Sequence, residues 1–222
     1  MIKVIVAAIA VLFVSVSANA ATFIVKTYED GRTYIQMDGQ TRAGDDRRLN
    51  SAIERAQEQT YVDEITTGFG ETRTVTKTRT FSKDLYLTGP GGNAEAGVDV
   101  AKIVYQGGYN TFVEEDCLSA CSIIWMAAGE DNRTIVGDGM VGFHFAFITN
   151  PSVLNEIKDT SGWMGIQDFH AASTHYYTSI LLFFGVKDPA WFVWKMASEA
   201  TSSTFYEVTV DNIDETVGGN VM

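Results

Sequence analysis

Apolar and polar positions switch along the chain between a period near two and a period near 3.6. Residues 22–26 and 33–37 alternate around Glu29-Asp30-Gly31, which predicts two short strands and a turn. Asp46 then caps a predicted helix to about Gln59, with Leu49, Ile53 and Ala56 on one face. From Thr72 to Thr80, Thr alternates with basic or apolar residues, a strand period preceded by turn glycines Gly68 and Gly70. Residues 60–83 thus read as an exposed hairpin-like insertion, most simply a solvated edge. Leu85-Tyr86-Leu87 is a short buried strand leading into Gly89-Pro90-Gly91-Gly92 and a helix over 94–106, with Val98, Ala101 and Val104 inward. Thr111–Val113 is the next strand, Cys117–Cys121 a turn, and Ser122–Ala128 an apolar helix. Strands at 134–136 and 140–143 flank Gly137-Asp138-Gly139. A loop over 150–165, a long helix over 166–184 closed by Gly185, and a helix from Asp188-Pro189 to about Ala200 follow. Thr209 is the predicted cap of a last short helix. Strands alternating with helices in this way predict an α/β layer fold.

The first 20 residues stand apart from this rhythm. Lys3 precedes a run from Val4 to Val16 in which Ser15 is the only polar residue, and Ala18-Asn19-Ala20 follows. Together these form the pattern of a secretory signal peptide cleaved after Ala20. A membrane anchor needs roughly 20 apolar residues, more than this run supplies. The expected mature chain, 21–222, is a single domain without a stable membrane span. It is exported to a bacterial periplasm or beyond, an oxidising compartment.

Charge narrows the functional classes. The net charge is −12 with a pI near 4.6. Residues 84–222 hold 5 Lys/Arg against 18 Asp/Glu, whereas residues 1–83 hold 11 against 10. An acidic chain is a poor partner for nucleic acid, and the acidity serves solubility more simply than substrate choice. Two cysteines and three histidines leave little for a structural zinc site. His170 and His175 are five apart, whereas a helical metal pair prefers four, so no metal is expected.

Three features then arrive in order: a Gly-Gly turn after a strand, Ser119 at a strand-to-helix turn, and His144 on a later strand. A serine at a helix N-terminus lies beside backbone N–H groups that have no intrahelical acceptor. It can attack a carbonyl while those N–H groups hold the oxyanion. Gly92 can bring another N–H close, and His144 can take the serine proton. Spacing alone favours a simpler reading, a buried hydroxyl in a tight turn and a packed strand histidine.

The residues themselves resemble a known family. Residues 85–97, Leu-Tyr-Leu-Thr-Gly-Pro-Gly-Gly-Asn-Ala-Glu-Ala-Gly, resemble the strand, Ser-Pro-Gly-Gly turn and helix of the Clp protease proteolytic subunit. Cys117-Leu118-Ser119-Ala120-Cys121 with Ala127-Ala128-Gly129 resembles its nucleophile turn and helix, and Gly142-Phe143-His144 its histidine strand. The Cys-x-Ser-Ala-Cys form, with Ile35–Gly39 and Gly44-Asp45 upstream, resembles an exported, Clp-like group. The resemblance covers roughly 33–59 and 84–145. It implies a crotonase-like fold, a superhelix of stacked β-β-α units. It also implies Ser119 as nucleophile, His144 as general base, and Gly92 and Ala120 as oxyanion hole, with no cofactor. In the family the third triad member is a C-terminal aspartate. Here Ser203 falls at that position, and Asp168, Asp188 or Glu199 are candidate substitutes. The implied activity is peptide hydrolysis. A Clp-like binding or scaffold protein that has lost efficient chemistry is the alternative, and acyl-CoA chemistry a third reading that export disfavours.

Two cysteines in an oxidising compartment usually pair, so Cys117 and Cys121 are expected to form a disulfide across the nucleophile turn. Redox catalysis is the rival, but Cys-x-x-x-Cys lacks the Cys-x-x-Cys spacing. Tyr176, Tyr177, Leu181–Phe184, Trp191, Phe192 and Trp194 form an apolar cluster. It is either core or a homo-oligomer interface, and the resemblance implies the interface.

Overall fold

In the computed structural model, the described residues are 20–57, 60–66, 72–144, 171, 174–186, 188–200 and 204–222. Outside them lie residues 1–19 of the expected signal peptide 1–20, the expected loop over 150–165, Asp168, His170 and Ser203.

The N-terminal alternation forms an antiparallel pair, β1 (Thr22–Thr27) and β2 (Thr33–Asp38). Thr33, Ile35 and Met37 of β2 are buried while Tyr34 and Gln36 are half-buried, the period-two pattern of a strand with one packed face. Helix α1 (Asp45–Gln57) buries Leu49, Ala52 and Ala56, and Ile53 is only partly covered. It begins one residue before the expected cap Asp46. The Asp45 carboxylate, fully buried, accepts from the Arg42 N–H (2.7 Å) and from Arg48 (2.7 Å to Nε).

β3 (Thr60–Thr66) and β4 (Thr72–Thr78) pair antiparallel as a separate two-stranded sheet. β5 (Phe81–Thr88) then runs parallel to β2, and β6 (Asn110–Val113) parallel to β5. Between them, α2 (Ala94–Gly107) is capped by the Asn93 side chain, which accepts from the Ala96 N–H at 2.8 Å. Residues expected to turn at Cys117 instead begin as a strand, β7 (Asp116–Leu118). The helix that follows, α3 (Ala120–Met126), starts two residues earlier than expected. A three-residue strand shows no periodicity of its own and exists because it has a partner.

β8 (Arg133–Ile135) joins the main sheet, whose order closes β1-β2-β5-β6-β8-β11 through β11 (Asn220–Val221), a C-terminal strand the pattern did not predict. A smaller sheet, β10-β9-β7, holds β9 (Met140–Phe143) parallel to β7 and antiparallel to β10 (Tyr206–Val208). The fold is therefore mixed α/β. The Arg133 guanidinium, 1% exposed, donates to the carbonyls of Met126 (3.2 Å), Gly218 (2.7 Å) and Val217, and stacks on Trp125. It fastens the C-terminal segment to α3, and burial lowers its pKa to about 10.

The long helix is described over 174–183 (α4), and Gly185 closes it with φ +77°. In α5 (Pro189–Glu199), Asp188 accepts the Trp191 N–H at 2.9 Å, as the Asp-Pro start predicts. The last short helix, α6 (Ile213–Thr216), begins after Asn212 rather than at Thr209, whose carbonyl accepts the N–H groups of Asn212 and Ile213. Among the described residues no helix is long and apolar enough to cross a membrane.

Candidate active site

Ser119 joins the end of β7 to the start of α3 with φ +55° and ψ −120°, a left-handed conformation in a residue that is not glycine. Its N–H donates to the Gly142 carbonyl of the neighbouring strand β9 (2.8 Å). Its carbonyl accepts the Ser122 N–H (3.0 Å) and the Ser122 hydroxyl (2.5 Å). Ser122 is 1% exposed, and the sequence reading passed over it. A serine three residues after a turn, bonding back to the turn carbonyl, is the local signal that marks it. Although Ser119 occupies the N-cap position, its hydroxyl makes no capping bond. A side chain on a sharp, strained strand-to-helix turn, not bonded to its own helix, has the arrangement of a nucleophile elbow. Ala120 opens α3, where the first N–H groups have no intrahelical acceptor.

The glycine turn lies directly against this elbow. A Cβ on Gly91 would come within 2.4 Å of the Ser119 Cβ, 2.5 Å of the Leu118 carbonyl and 2.9 Å of the Ala120 nitrogen. With φ at +87° as well, no other residue fits at 91 without displacing the elbow. Gly92, the expected oxyanion donor, has its Cα beside Thr41 and Gln40, where a Cβ would meet the Thr41 carbonyl at 2.4 Å. Thr41 pins the turn from behind: its N–H donates to the Gly91 carbonyl (2.7 Å) and its carbonyl accepts the Asn93 N–H (2.9 Å).

His144 follows β9 directly. Leu118 is registered with Gly142, so Ser119 and His144 leave the same ends of two neighbouring parallel strands. The His144 ring is half-buried and stands edge-on to Phe205, with centroids 4.8 Å apart. Burial holds its pKa below the ordinary histidine value by disfavouring the charged ring. Tyr206 of β10 pairs with Phe143, which carries the chain just before Tyr206 past His144. Of the candidate third members, Ser203 and Asp168 lie outside the described residues. Asp188 caps α5, and Glu199 is paired with Lys195 on that helix.

Cys117 and Cys121 are fully buried on either side of Ser119, with sulfurs 2.08 Å apart and Cα atoms 5.2 Å apart, within the range a disulfide requires. A cleft of about 410 Å³ adjoins the turn, lined by Thr88, Gly89, Pro90 and Leu118, with Asp38, Glu115 and Asp116 along its wall.

No protein-family model and no curated protein matches the chain. Among solved structures it is similar to a point mutant of ClpP1 from Listeria monocytogenes. The identity is 10%, the match covers 82% of this chain and 86% of that one, and the TM-score is 0.53. At that identity the likeness bears on fold alone: the chain has a Clp protease-like α/β fold.

Proposed function

We propose that this protein is an exported serine hydrolase that cleaves peptides, with Ser119 as nucleophile and His144 as general base. His144 takes the Ser119 hydroxyl proton as the oxygen attacks the scissile carbonyl. The N–H groups of Ala120 and Gly92 hold the oxyanion, and Gly91 gives the turn its close approach to the serine. The protonated His144 then gives its proton to the leaving amine, an acyl-enzyme remains, and water activated by neutral His144 releases the acid. By the sequence resemblance alone, Ser203 falls where the Clp-like family carries its third member. A hydroxyl holds the ring without adding a full negative charge, so turnover is slower than with a carboxylate.

One observation carries this reading. Ser119 holds a conformation that costs energy, and its hydroxyl is not used to cap α3. The Cys117–Cys121 pair acts as a disulfide that stiffens the elbow, which suits cleavage of the signal peptide after Ala20 and residence in the periplasm. The fold extends to a crotonase-like stack of β-β-α units. Subunits assemble through α4 and α5, where Leu182, Phe183 and Trp194 are more than half exposed. Hydrolysis of a fluorogenic peptide library by the purified mature protein is the test. Cleavage that disappears in Ser119→Ala and His144→Ala is the expected result. Equal cleavage by wild type and Ser119→Ala would assign the activity elsewhere.

A further inference from the structure

Peptide hydrolysis leaves unexplained an open groove of about 500 Å³ between the start of β1 and the outer face of α1. Its walls are Ala21, Thr22 and Phe23 on one side, and Gly44, Arg47, Arg48, Ser51 and Arg55 on the other. Positions 44, 47, 48, 51 and 55 share one face of a helix. Three guanidinium groups and a hydroxyl therefore line one wall in a protein whose net charge is −12.

The fold uses only part of this positive charge. Arg48 is paired with the buried Asp45, which neutralises one charge. Arg55 reaches across to the Phe23 carbonyl (3.3 Å), a neutral acceptor that fixes its guanidinium over the groove. Arg47 has no carboxylate partner among the described residues. Asp46 lies on the opposite side of the helix and Glu54 only on the flank. Arg47 and Arg48 follow Asp45 and Asp46 in the first turn of α1, and Arg55 lies in its last turn. Guanidinium groups on one face that lack a carboxylate partner can take an anion between them.

We infer that the Arg47–Arg55 face of α1 is a binding site for a phosphate-bearing anion, separate from the Ser119 turn. Guanidinium forks match phosphate oxygens in bidentate geometry, and the Ser51 hydroxyl can donate one more hydrogen bond. The volume admits a diphosphate or a phosphorylated headgroup and not merely a chloride ion. Cleavage after Ala20 would add the ammonium of Ala21 to the same wall. The inference does not depend on the activity assigned to Ser119.

The test uses inorganic phosphate and pyrophosphate by titration calorimetry, and sedimentation with phosphatidylcholine vesicles containing or lacking phosphatidylglycerol. Wild type is expected to bind pyrophosphate or the anionic vesicles, more weakly as salt rises. Binding to the soluble anions identifies a free phosphorylated ligand, and binding only to anionic vesicles identifies a lipid headgroup. The variant Arg47→Gln/Arg55→Gln should bind at least 10-fold more weakly, and Lys102→Gln on α2 should bind as wild type does. Ser51→Asp, which puts a carboxylate between the arginines, should also lose binding and serves if the double variant fails to fold. Wild type binding none of these probes, or binding unchanged in the arginine and Ser51 variants, would overturn the inference.

Discussion

Replacing Ser119 with glycine separates the strain at the elbow from the chemistry assigned to it. Ser119 holds φ +55° and ψ −120°. A non-glycine residue in so sparsely populated a region costs about 1–3 kcal/mol. Glycine removes that cost but brings about 0.5–1 kcal/mol of extra unfolded-chain entropy. The hydroxyl makes no capping bond whose loss must be added. The balance is a stabilisation of about 1 kcal/mol, which raises Tm by about 2–4 °C for a chain of this length. Ser119→Ala keeps the Cβ and the strain, so its Tm should stay within about 1 °C of wild type. Differential scanning calorimetry of the three proteins, with peptide hydrolysis in parallel, reads both effects. Ser119→Gly should be the most stable and, like Ser119→Ala, inactive. If Ser119→Gly melts below Ser119→Ala, the elbow is not strained and the argument from stored strain fails.

Other consequences test neighbouring parts of the account. Gly91→Ala places a methyl group against Ser119 and Leu118 at a positive φ, and urea denaturation should show a loss of about 2–4 kcal/mol. Non-reducing mass spectrometry should find the mature chain two hydrogens lighter than its reduced form, and Cys117→Ala/Cys121→Ala should lose ~2 kcal/mol by the loop-closure relation. Burial lowers the His144 pKa, so the acid limb of the pH–rate profile should fall at a lower pH than an ordinary histidine would give. The same shift costs stability: the unfolded state takes up the proton first, so folding weakens as pH falls from about 6.5 towards the folded value. His144→Gln should flatten that part of the stability profile. Arg133→Met removes the guanidinium donor from the carbonyls of Met126, Val217 and Gly218, and a loss of about 3 kcal/mol is expected in thermal unfolding.

The parts of the fold legible in the sequence are those with their own periodicity. β2 and α2 show one packed face each, and Asp188-Pro189 marks the start of α5 because capping chemistry is local. The strands that escaped are short and depend on partners distant in sequence. β7 exists because β9 lies beside it, β10 because β9 has a second edge, and β11 because β8 needs a neighbour. The start of α1 was misread because Asp45 and Asp46 are equivalent caps on paper, and only the contacts to Arg42 and Arg48 separate them. The same distinction holds at the site. Ser119 and His144 were legible as residues, yet their placement at the same ends of neighbouring strands comes from the β7–β9 register, which no spacing encodes. That Gly91 rather than Gly92 packs on the serine follows from how Thr41 pins the turn, a contact across 50 residues. Arg133 carried no signal, since a lone arginine in a strand gives no hint that three carbonyls converge on it.

The most direct test of the central claim is intact mass spectrometry of the native protein after treatment with a fluorophosphonate. A nucleophilic Ser119 beside a neutral His144 should gain one phosphonyl group, mapped to Ser119 by peptide fragmentation and absent from Ser119→Ala. An unmodified wild-type protein, or an adduct that persists in Ser119→Ala, would contradict it.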